Sequence, residues 1–511
     1  VRAEPVYNGP PPPQRRPHSG MVPVGVQGGQ NASSIPGGRI AAGQPGLVPS
    51  APAPVVVDHR AAREIKRVVL DQLSKEGKSR TSNGQAAWPS QQAQEQRGRQ
   101  LINEQVAIWA DGQGLTTGGA VSGSVERDLA ALAFDMCFRA GRLQRYLDDA
   151  LVEDIWLEGF ERVFLKYAGR RKPVQVDRVA DSEDELQELV RDLIRASGQN
   201  GRTFSTHSPS VELRLPDGSR LQALGPEITG GTTHVTIRRH RHLKISMREL
   251  VEMGTVGEEA ADLLMAAVRG RFNIMVAGEQ AAGKTTALRA LLRAIDPDER
   301  FGTLETTFEG LADPSYHQHV VPMEARFSNG ERIGPNQAAA GEITLMDLMI
   351  KAKRMSLTRT IVGEVRGSEI TAMMQAMTSD RPGNMCTIHA SEPSAVFDRV
   401  AELYLLAQGN FTPELAYRQI ANGLHFLVFL SVDDSGDAPR RYLSHIWEIT
   451  GIGHDGRPMY NEVFGPADDI DGPAVPKGAL SERKRRRLEK AGMTSSLLSS
   501  QALAYLPGGS M

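Results

Sequence analysis

From residue 125 onward, polar and apolar positions fall into two periods. Val125, Leu129, Leu132, Ala133 and Met136 recur at helical spacing. Asp154–Glu158 and Arg162–Lys166 alternate with apolar residues, as half-buried strands do. Leu186, Leu189, Val190, Leu193 and Ile194 mark a second helix face. Val211–Leu215 and Arg220–Leu224 flank Pro216-Asp217-Gly218, so a hairpin is expected there, with a further short strand at His234–Arg238. Residues 125–240 therefore predict an α+β domain.

From about 241 the pattern becomes strand, helix, strand. Phe272–Ala277 is apolar without alternation, as a strand buried on both faces requires. Leu288, Leu291, Leu292 and Ile295 follow at helical spacing, and a strand is expected at Arg300–Glu305. Leu345, Leu348, Met349, Ala352 and Met355 predict a helix, Thr360–Val365 a strand, and Ile370, Met373, Met374 and Met377 another helix. Alternating elements of this kind imply a parallel sheet covered by helices, an α/β architecture over 241–466. The methionine stripes read as packing.

The flanks have other compositions. Twelve of the 30 prolines fall within residues 1–54, among many Gly, Ser and Gln. A segment with so little to bury cannot offset the entropy of ordering, so residues 1–57 are expected to be a disordered arm. Residues 58–124 predict a polar helical and linker segment, with a loop at about 79–97 and a Gly/Ser/Thr stretch at 112–124. Residues 467–511 read as a basic tail, with Arg483-Lys484-Arg485-Arg486-Arg487 a candidate docking run for partners or anionic lipid.

Charge and cysteine content narrow the class. The 511 residues carry 59 basic and 61 acidic side chains, a net charge of −2, which disfavours a surface built to coat nucleic acid. Two cysteines exclude a disulfide scaffold and fit a reducing compartment. No apolar run approaches the roughly 18 residues a bilayer span needs, and no charged-then-apolar leader opens the chain. A soluble, cytosolic, multi-domain protein is expected.

Gly278-Glu279-Gln280-Ala281-Ala282-Gly283-Lys284-Thr285, followed by Thr286, fits the phosphate-loop pattern. Its glycines permit backbone angles that turn the loop's N–H groups inward around a phosphate. Lys284 would place a cation between the terminal phosphates, and Thr285 would offer a hydroxyl to Mg²⁺. The following helix would direct its positive end at the anion. ATP with Mg²⁺ is the expected ligand. Hydrolysis also needs a group that orients or deprotonates water. The strand Thr360–Val365 carries Glu364, with Arg366 just beyond it, and Glu364 is the candidate to hold the attacking water and help bind Mg²⁺. An ordinary Walker B acid would stand one residue earlier, at Gly363.

Other residues are less decisive by themselves. Glu305 and Glu309 could share a helical turn facing a metal-bound water, or be solvated. His389 ends an apolar stretch and more often such a histidine is structural. His317 and His319 are spaced like a ligand pair but lack acid or cysteine partners. Arg220, Arg238 and Arg239 could form a basic surface face.

Taken in order, these motifs resemble the type II/IV secretion system ATPases, in the CpaF-like branch that powers tight-adherence (Tad) pili. The resemblance rests on the phosphate loop, an acidic box at 303–311, a Walker B box at 361–367 and a histidine box at 383–390, and it extends over about 100–466. It implies a RecA-like P-loop domain after the α+β domain, and a homohexameric motor. Such a motor would work peripherally at the inner face of the cytoplasmic membrane, through inner-membrane platform proteins and without stable nucleic-acid binding. It also implies a metal and water shell drawn from Thr285, Glu305, Glu309 and Glu364, a γ-phosphate sensor at His389, and phosphate contacts from Arg220 and Arg238. One departure is Thr306, where the family's acidic box usually has Asp. A DNA-translocating conjugation-type motor and a nucleotide-binding switch with little turnover stay open as alternatives.

Overall fold

A computed structural model describes residues 58–83, 86–117, 119–198, 202–239, 244–326, 341–407, 409–436, 438–468 and 471–494; the proline-rich arm expected over 1–57 lies outside them. Three helices come first: α1 (His59–Ser82), α2 (Gln91–Thr117) and α3 (Gly123–Phe138). Asp58 caps α1 by accepting the N–H groups of Arg60 and Ala61. Ile65, Val69 and Leu73 of α1, Leu101, Ile102 and Val106 of α2, and Leu129, Ala133 and Phe134 of α3 share one small core.

This corrects the reading of 112–124 as linker over 112–117 and 123–124. α2 continues to Thr117 despite Gly112 and Gly114, because a helix nucleated by a packed stretch gains one hydrogen bond for each residue added. It also moves the helix around Leu129 from the sheet domain to the helical unit. Charges join that unit to the next. Arg63 of α1 pairs with Asp181 and Glu185, and the buried Arg142 pairs with the same two carboxylates.

After a turn of 3-10 helix and α4 (Gln144–Asp148), the chain builds a six-stranded sheet. Its strands are β1 (Val152–Glu158), β2 (Arg162–Tyr167), β3 (Val174–Val176), β4 (Ser210–Arg214), β5 (Arg220–Leu224) and β6 (His234–Arg238). The order is β3-β2-β1-β6-β5-β4, with every neighbouring pair antiparallel. The amphipathic helix α5 (Glu183–Ala196) covers one face with Leu186, Val190 and Leu193. The short helix α6 (Pro226–Thr229) joins β5 to β6. The opposite face is largely polar, as the period of two dictates, with Trp156, Phe164 and Leu224 among its charged residues.

Helices α7 (Met247–Glu252) and α8 (Glu258–Arg269) lead into a nine-stranded sheet. Its strands are β7 (Ile274–Gly278), β8 (Gly302–Glu305), β9 (Val321–Glu324), β10 (Thr360–Val365), β11 (Met385–His389), β12 (Phe426–Asp433), β13 (Arg440–Ile452), β14 (Pro458–Pro466) and β15 (Ala474–Pro476). The run β12-β7-β11-β10-β8-β9 is parallel, and β13, β14 and β15 extend it antiparallel beyond β12. The expected largely parallel sheet is present, with this added antiparallel wing.

Both faces of this sheet are buried, so β7 shows no alternation. Ile274 and Val276 pack under α8 and α9 (Lys284–Leu292). Met275 and Ala277 pack on the opposite side with α11 (Glu369–Met377), α12 (Ala395–Leu406) and α13 (Pro413–Gly423). Met349 of α10 (Leu345–Ala352) and Met373, Met374 and Met377 are buried in that second layer as core.

The tail expected at 467–511 is corrected over its described part. β15 pairs with β14, and Leu480, Leu488 and Met493 enter the core beneath α8. Within α14 (Glu482–Lys490) most of the basic run is engaged. Lys484 reaches the carbonyl of Ile449 and lies 3.4 Å from the fully buried Glu448. Arg487 stacks over Phe272 at 4.3 Å, and Arg485 and Arg486 pair with Glu482 on their own helix. No helix among the described residues is long and apolar enough to cross a membrane.

Candidate functional site

The parallel strands end in a line of polar residues, the position where open α/β sheets hold their ligands. Gly278 closes β7 between His389 of β11 and Leu430 of β12. A Cβ at Gly278 would stand 2.2 Å from the Leu430 carbonyl oxygen, so only glycine fits. The loop then turns through Ala281 (φ +63) and Gly283 (φ +94) into α9. The first-turn N–H groups of α9 have no partner within the helix, which makes this end an anion seat. Arg441 of β13 steadies the loop from the side, its Nε donating to the Ala281 carbonyl at 2.8 Å.

Lys284 is drawn inward. Its Nζ donates to the carbonyls of Gly278 (3.0 Å) and Glu279 (2.6 Å) and to Nδ1 of His389 (3.1 Å). Burial lowers its pKa to about 8; Glu364 opposes the shift, and Arg238 and Arg366 add to it. His389 is likewise held below its ordinary value, by burial and then by Lys284. A neutral imidazole that accepts at Nδ1 carries its proton on Nε2. That nitrogen lies 3.0 Å from Glu364 Oε1, at ion-pair distance but without hydrogen-bond alignment, so Oε1 is buried with no hydrogen-bond partner. Glu364 Oε2 meets Arg366 Nη2 at 2.5 Å. Glu369, at the start of α11, accepts the N–H groups of Arg366 and Gly367 and so fixes the turn that carries Arg366. Lys284, His389, Glu364 and Arg366 thus form one continuous line of contacts.

The acidic box is a loop, which corrects the expectation of a shared helical turn. Glu305 ends β8, 4% exposed, and accepts the N–H groups of Glu309 (2.7 Å) and Leu311 (3.4 Å). Burial raises its pKa to about 7 against those two hydrogen bonds. With each oxygen on a backbone amide, Glu305 closes the loop, and it lines a small cavity with Thr285, Glu309 and Glu364. Glu309 lines the cleft and lies 3.9 Å from Arg289, a buried arginine of α9 that also donates to the Glu309 carbonyl.

The polar face of the first sheet forms the opposite wall. Lys166, Asp154, Arg238, Arg220 and Arg214 are consecutive register partners across β2, β1, β6, β5 and β4. The first four line one cleft of about 300 Å³ together with residues 280–287, Glu309, Glu364, Arg366, Thr387 and His389. Arg239 also borders the cleft but is turned back to the carbonyls of Asp149 and Val152. Arg220 pairs with Glu212. His317 and His319 do not form a metal pair: His317 is buried edge-on against Phe301 and Tyr316, and His319 is exposed.

This cleft suits a polyphosphate. It offers a helix N-terminus, an ammonium and two cross-strand arginines, and it holds a carboxylate oxygen that accepts no hydrogen bond. Among the described residues no group of three or more His, Cys, Asp or Glu could hold a metal. Thr285 and Glu364 share the cleft, a donor set that fits Mg²⁺, which takes one or two protein oxygens and completes its shell from phosphate and water.

Sequence reasoning missed Arg441, Arg289 and Glu212. Arg441 and Ala281 are 160 residues apart, and no periodicity links them. For Arg289 a signal existed: an arginine on the apolar stripe of α9 needs a buried partner.

Residues 139–428 match the protein family described as Type II/IV secretion system protein. A Mycobacterium tuberculosis H37Rv protein, named as a candidate conjugal transfer protein, is 30% identical over 313 residues, covering 60% of this chain and 83% of its own. Protein VirB11 of Agrobacterium fabrum C58 is 28% identical over 286 residues, covering 50% and 78%. The crystal structure of the VirB11 ATPase from the Brucella suis type IV secretion system is similar at 23% identity and a TM-score of 0.31, covering 60% of this chain and 92% of that one.

Proposed function

The chain belongs to the type II/IV secretion system protein family, and from that premise we propose that it is a motor ATPase of a pilus or secretion machine. It hydrolyses ATP in the cleft between the two sheets. The line Lys284–His389–Glu364–Arg366, facing Arg220 and Arg238, carries this reading.

The residues divide the work. Residues 278–286 seat the β- and γ-phosphates on backbone N–H groups, and Lys284 turns from its carbonyl partners to the anion. Glu364 orients the attacking water and takes its proton at the unpartnered Oε1. Arg366 holds the other oxygen, and His389, contacting both Lys284 and Glu364, reports whether the γ-phosphate is present. Arg220 and Arg238 stabilise charge on the departing phosphoryl group from the opposite wall. Thr285 and Glu364 would hold Mg²⁺, which would supply charge neutralisation to the phosphates. Loss of the γ-phosphate then loosens the grip between the two walls and moves the domains.

We further propose that the protein works as a homohexamer of the CpaF-like, Tad-pilus type, at the cytoplasmic face of the membrane and through membrane platform proteins. The motif order over about 100–466 supports that branch. The domains proposed within the described residues are a helical unit, an α+β domain ending near 240 and an ATPase domain beginning near 241. Phosphate release by the purified full chain with ATP and Mg²⁺, against a Lys284→Ala control, tests the activity. Light scattering with and without nucleotide tests the hexamer.

A conjugation-type motor is the second reading, favoured by the name of the mycobacterial relative. Turnover stimulated by DNA would support it, and turnover indifferent to DNA would exclude it.

A further inference from the structure

Three arginines stand side by side on the first sheet: Arg214 opposite Arg220, and Arg220 opposite Arg238. Like charges in directly opposed positions repel, so such a row needs carboxylates or a bound anion. Glu212, two residues before Arg214 and on the same face, supplies one carboxylate. Its Oε1 lies 2.5 Å from Arg220 Nη2. The same oxygen accepts from Thr307 Oγ1 at 2.7 Å.

Thr307 is buried within the loop that Glu305 closes by accepting the Glu309 N–H. The next residue, Phe308, lies under the Arg214 guanidinium at 4.3 Å. The β4–β5 hairpin therefore grips this loop at two consecutive residues while presenting Arg220 to the cleft. Glu212 is absent from the cleft lining and acts through Arg220 and Thr307.

We infer that Glu212 is a positioning residue that ties Arg220 to the acidic loop, so that one movement of the hairpin shifts both against the phosphates; this rests on the ATPase reading above. A single carboxylate oxygen that serves a guanidinium on one wall and a hydroxyl on the other fixes their separation. Any rotation of the first sheet against the second must carry Thr307 with Arg220 or break a charge-assisted hydrogen bond.

The two arms can be separated in the full chain. Glu212→Gln keeps an acceptor for Thr307 and loses the charge that holds Arg220; Thr307→Val removes only the loop arm. Steady-state phosphate release and fluorescent-nucleotide binding are measured for both, for Arg220→Ala, and for Arg220→Ala combined with Glu212→Gln. Glu212→Gln is expected to lower kcat about tenfold with KM and nucleotide affinity within about twofold, the size of a lost charge-assisted contact. Thr307→Val is expected to lower kcat about threefold. In the Arg220→Ala background, Glu212→Gln should have little further effect, an outcome that general destabilisation would not give.

An unchanged kcat in Glu212→Gln, or the same fold-loss with and without Arg220, overturns the inference. The two levels fail differently. If the wild-type chain is no faster than Lys284→Ala, the ATPase reading falls and this inference with it. If the wild type turns over, Arg220→Ala is slow and Glu212→Gln matches wild type, the Glu212 inference falls alone.

Discussion

Glu305 and Gly363 are neighbours across the parallel pair β8–β10, one step beyond the paired residues Leu304 and Val362. A Cβ on Gly363 would stand 3.5 Å from Glu305 Cγ and 3.2 Å from Leu311 Cδ1. A side chain at 363 would therefore press on Leu311 and lie in contact with Glu305 of the adjacent strand, whereas the strand carries its acid one residue later, at Glu364.

Restoring the ordinary pattern with Gly363→Asp should therefore impair the protein. It would crowd Leu311 and set a second carboxylate against the buried Glu305. A fall in turnover and a loss of about 1–3 kcal/mol in stability are expected from crowding in a packed site, read by phosphate release and thermal melting. Turnover at or above the wild-type rate would show that the position is free.

Arg441→Met should weaken nucleotide binding more than catalysis. It removes the hydrogen bond to the Ala281 carbonyl and leaves a residue at positive φ without its brace. Losing a charged donor of this kind costs about 1.5 kcal/mol, which corresponds to about a tenfold rise in nucleotide Kd. Fluorescent-nucleotide titration checks it, with kcat at saturating ATP expected within about threefold of wild type.

His425 sets an acid limit on stability. Its Nδ1 accepts the Asn273 N–H at 3.0 Å, and Asn273 in turn accepts the N–H groups of Gly383 and Asn384 ahead of β11. Burial, with Lys484, Arg487 and Arg483 nearby, lowers its pKa from 6.5 to about 4. The unfolded chain binds the proton first, so this contribution is complete above pH 6.5 and is lost as pH falls toward 4. The total is on the order of 3 kcal/mol. Denaturant melts of wild type and His425→Asn should converge as pH falls through that window. A difference independent of pH would refute it.

Leu488→Ala tests whether the C-terminal helix belongs to the ATPase core. Leu488 is fully buried beneath α8. Its truncation should cost about 2–5 kcal/mol and lower the melting temperature of the whole second sheet. A melting curve equal to wild type would return α14 to the status of an appended tail.

Much of this architecture was legible because strands buried on both faces write themselves as short apolar runs. Ile274–Gly278 leads into the phosphate loop and Thr360–Val365 carries Glu364 just before its last residue, so local order brings out Lys284 and Glu364, whereas His389 gained a role only through the family resemblance. The tail was misread because the exposed arginines of α14 outnumber its single buried leucine, and the lysine that pairs with Glu448 cannot be told from a solvated one. The acidic loop was misread because Glu305 and Glu309 are four residues apart, the helical interval, while the strand ends at Glu305. Contacts such as Thr307 to Glu212, separated by 95 residues, belong to the packing of one sheet against the other and have no local pattern.

The central claim is that Glu364 is the group that activates water while the phosphate loop binds the nucleotide without it. Glu364→Gln keeps the shape and removes the base. ATP binding and phosphate release measured side by side on this variant test the claim most directly. Affinity within about threefold of wild type, with phosphate release reduced to the Lys284→Ala background, is the predicted result. Phosphate release close to the wild-type rate would contradict it.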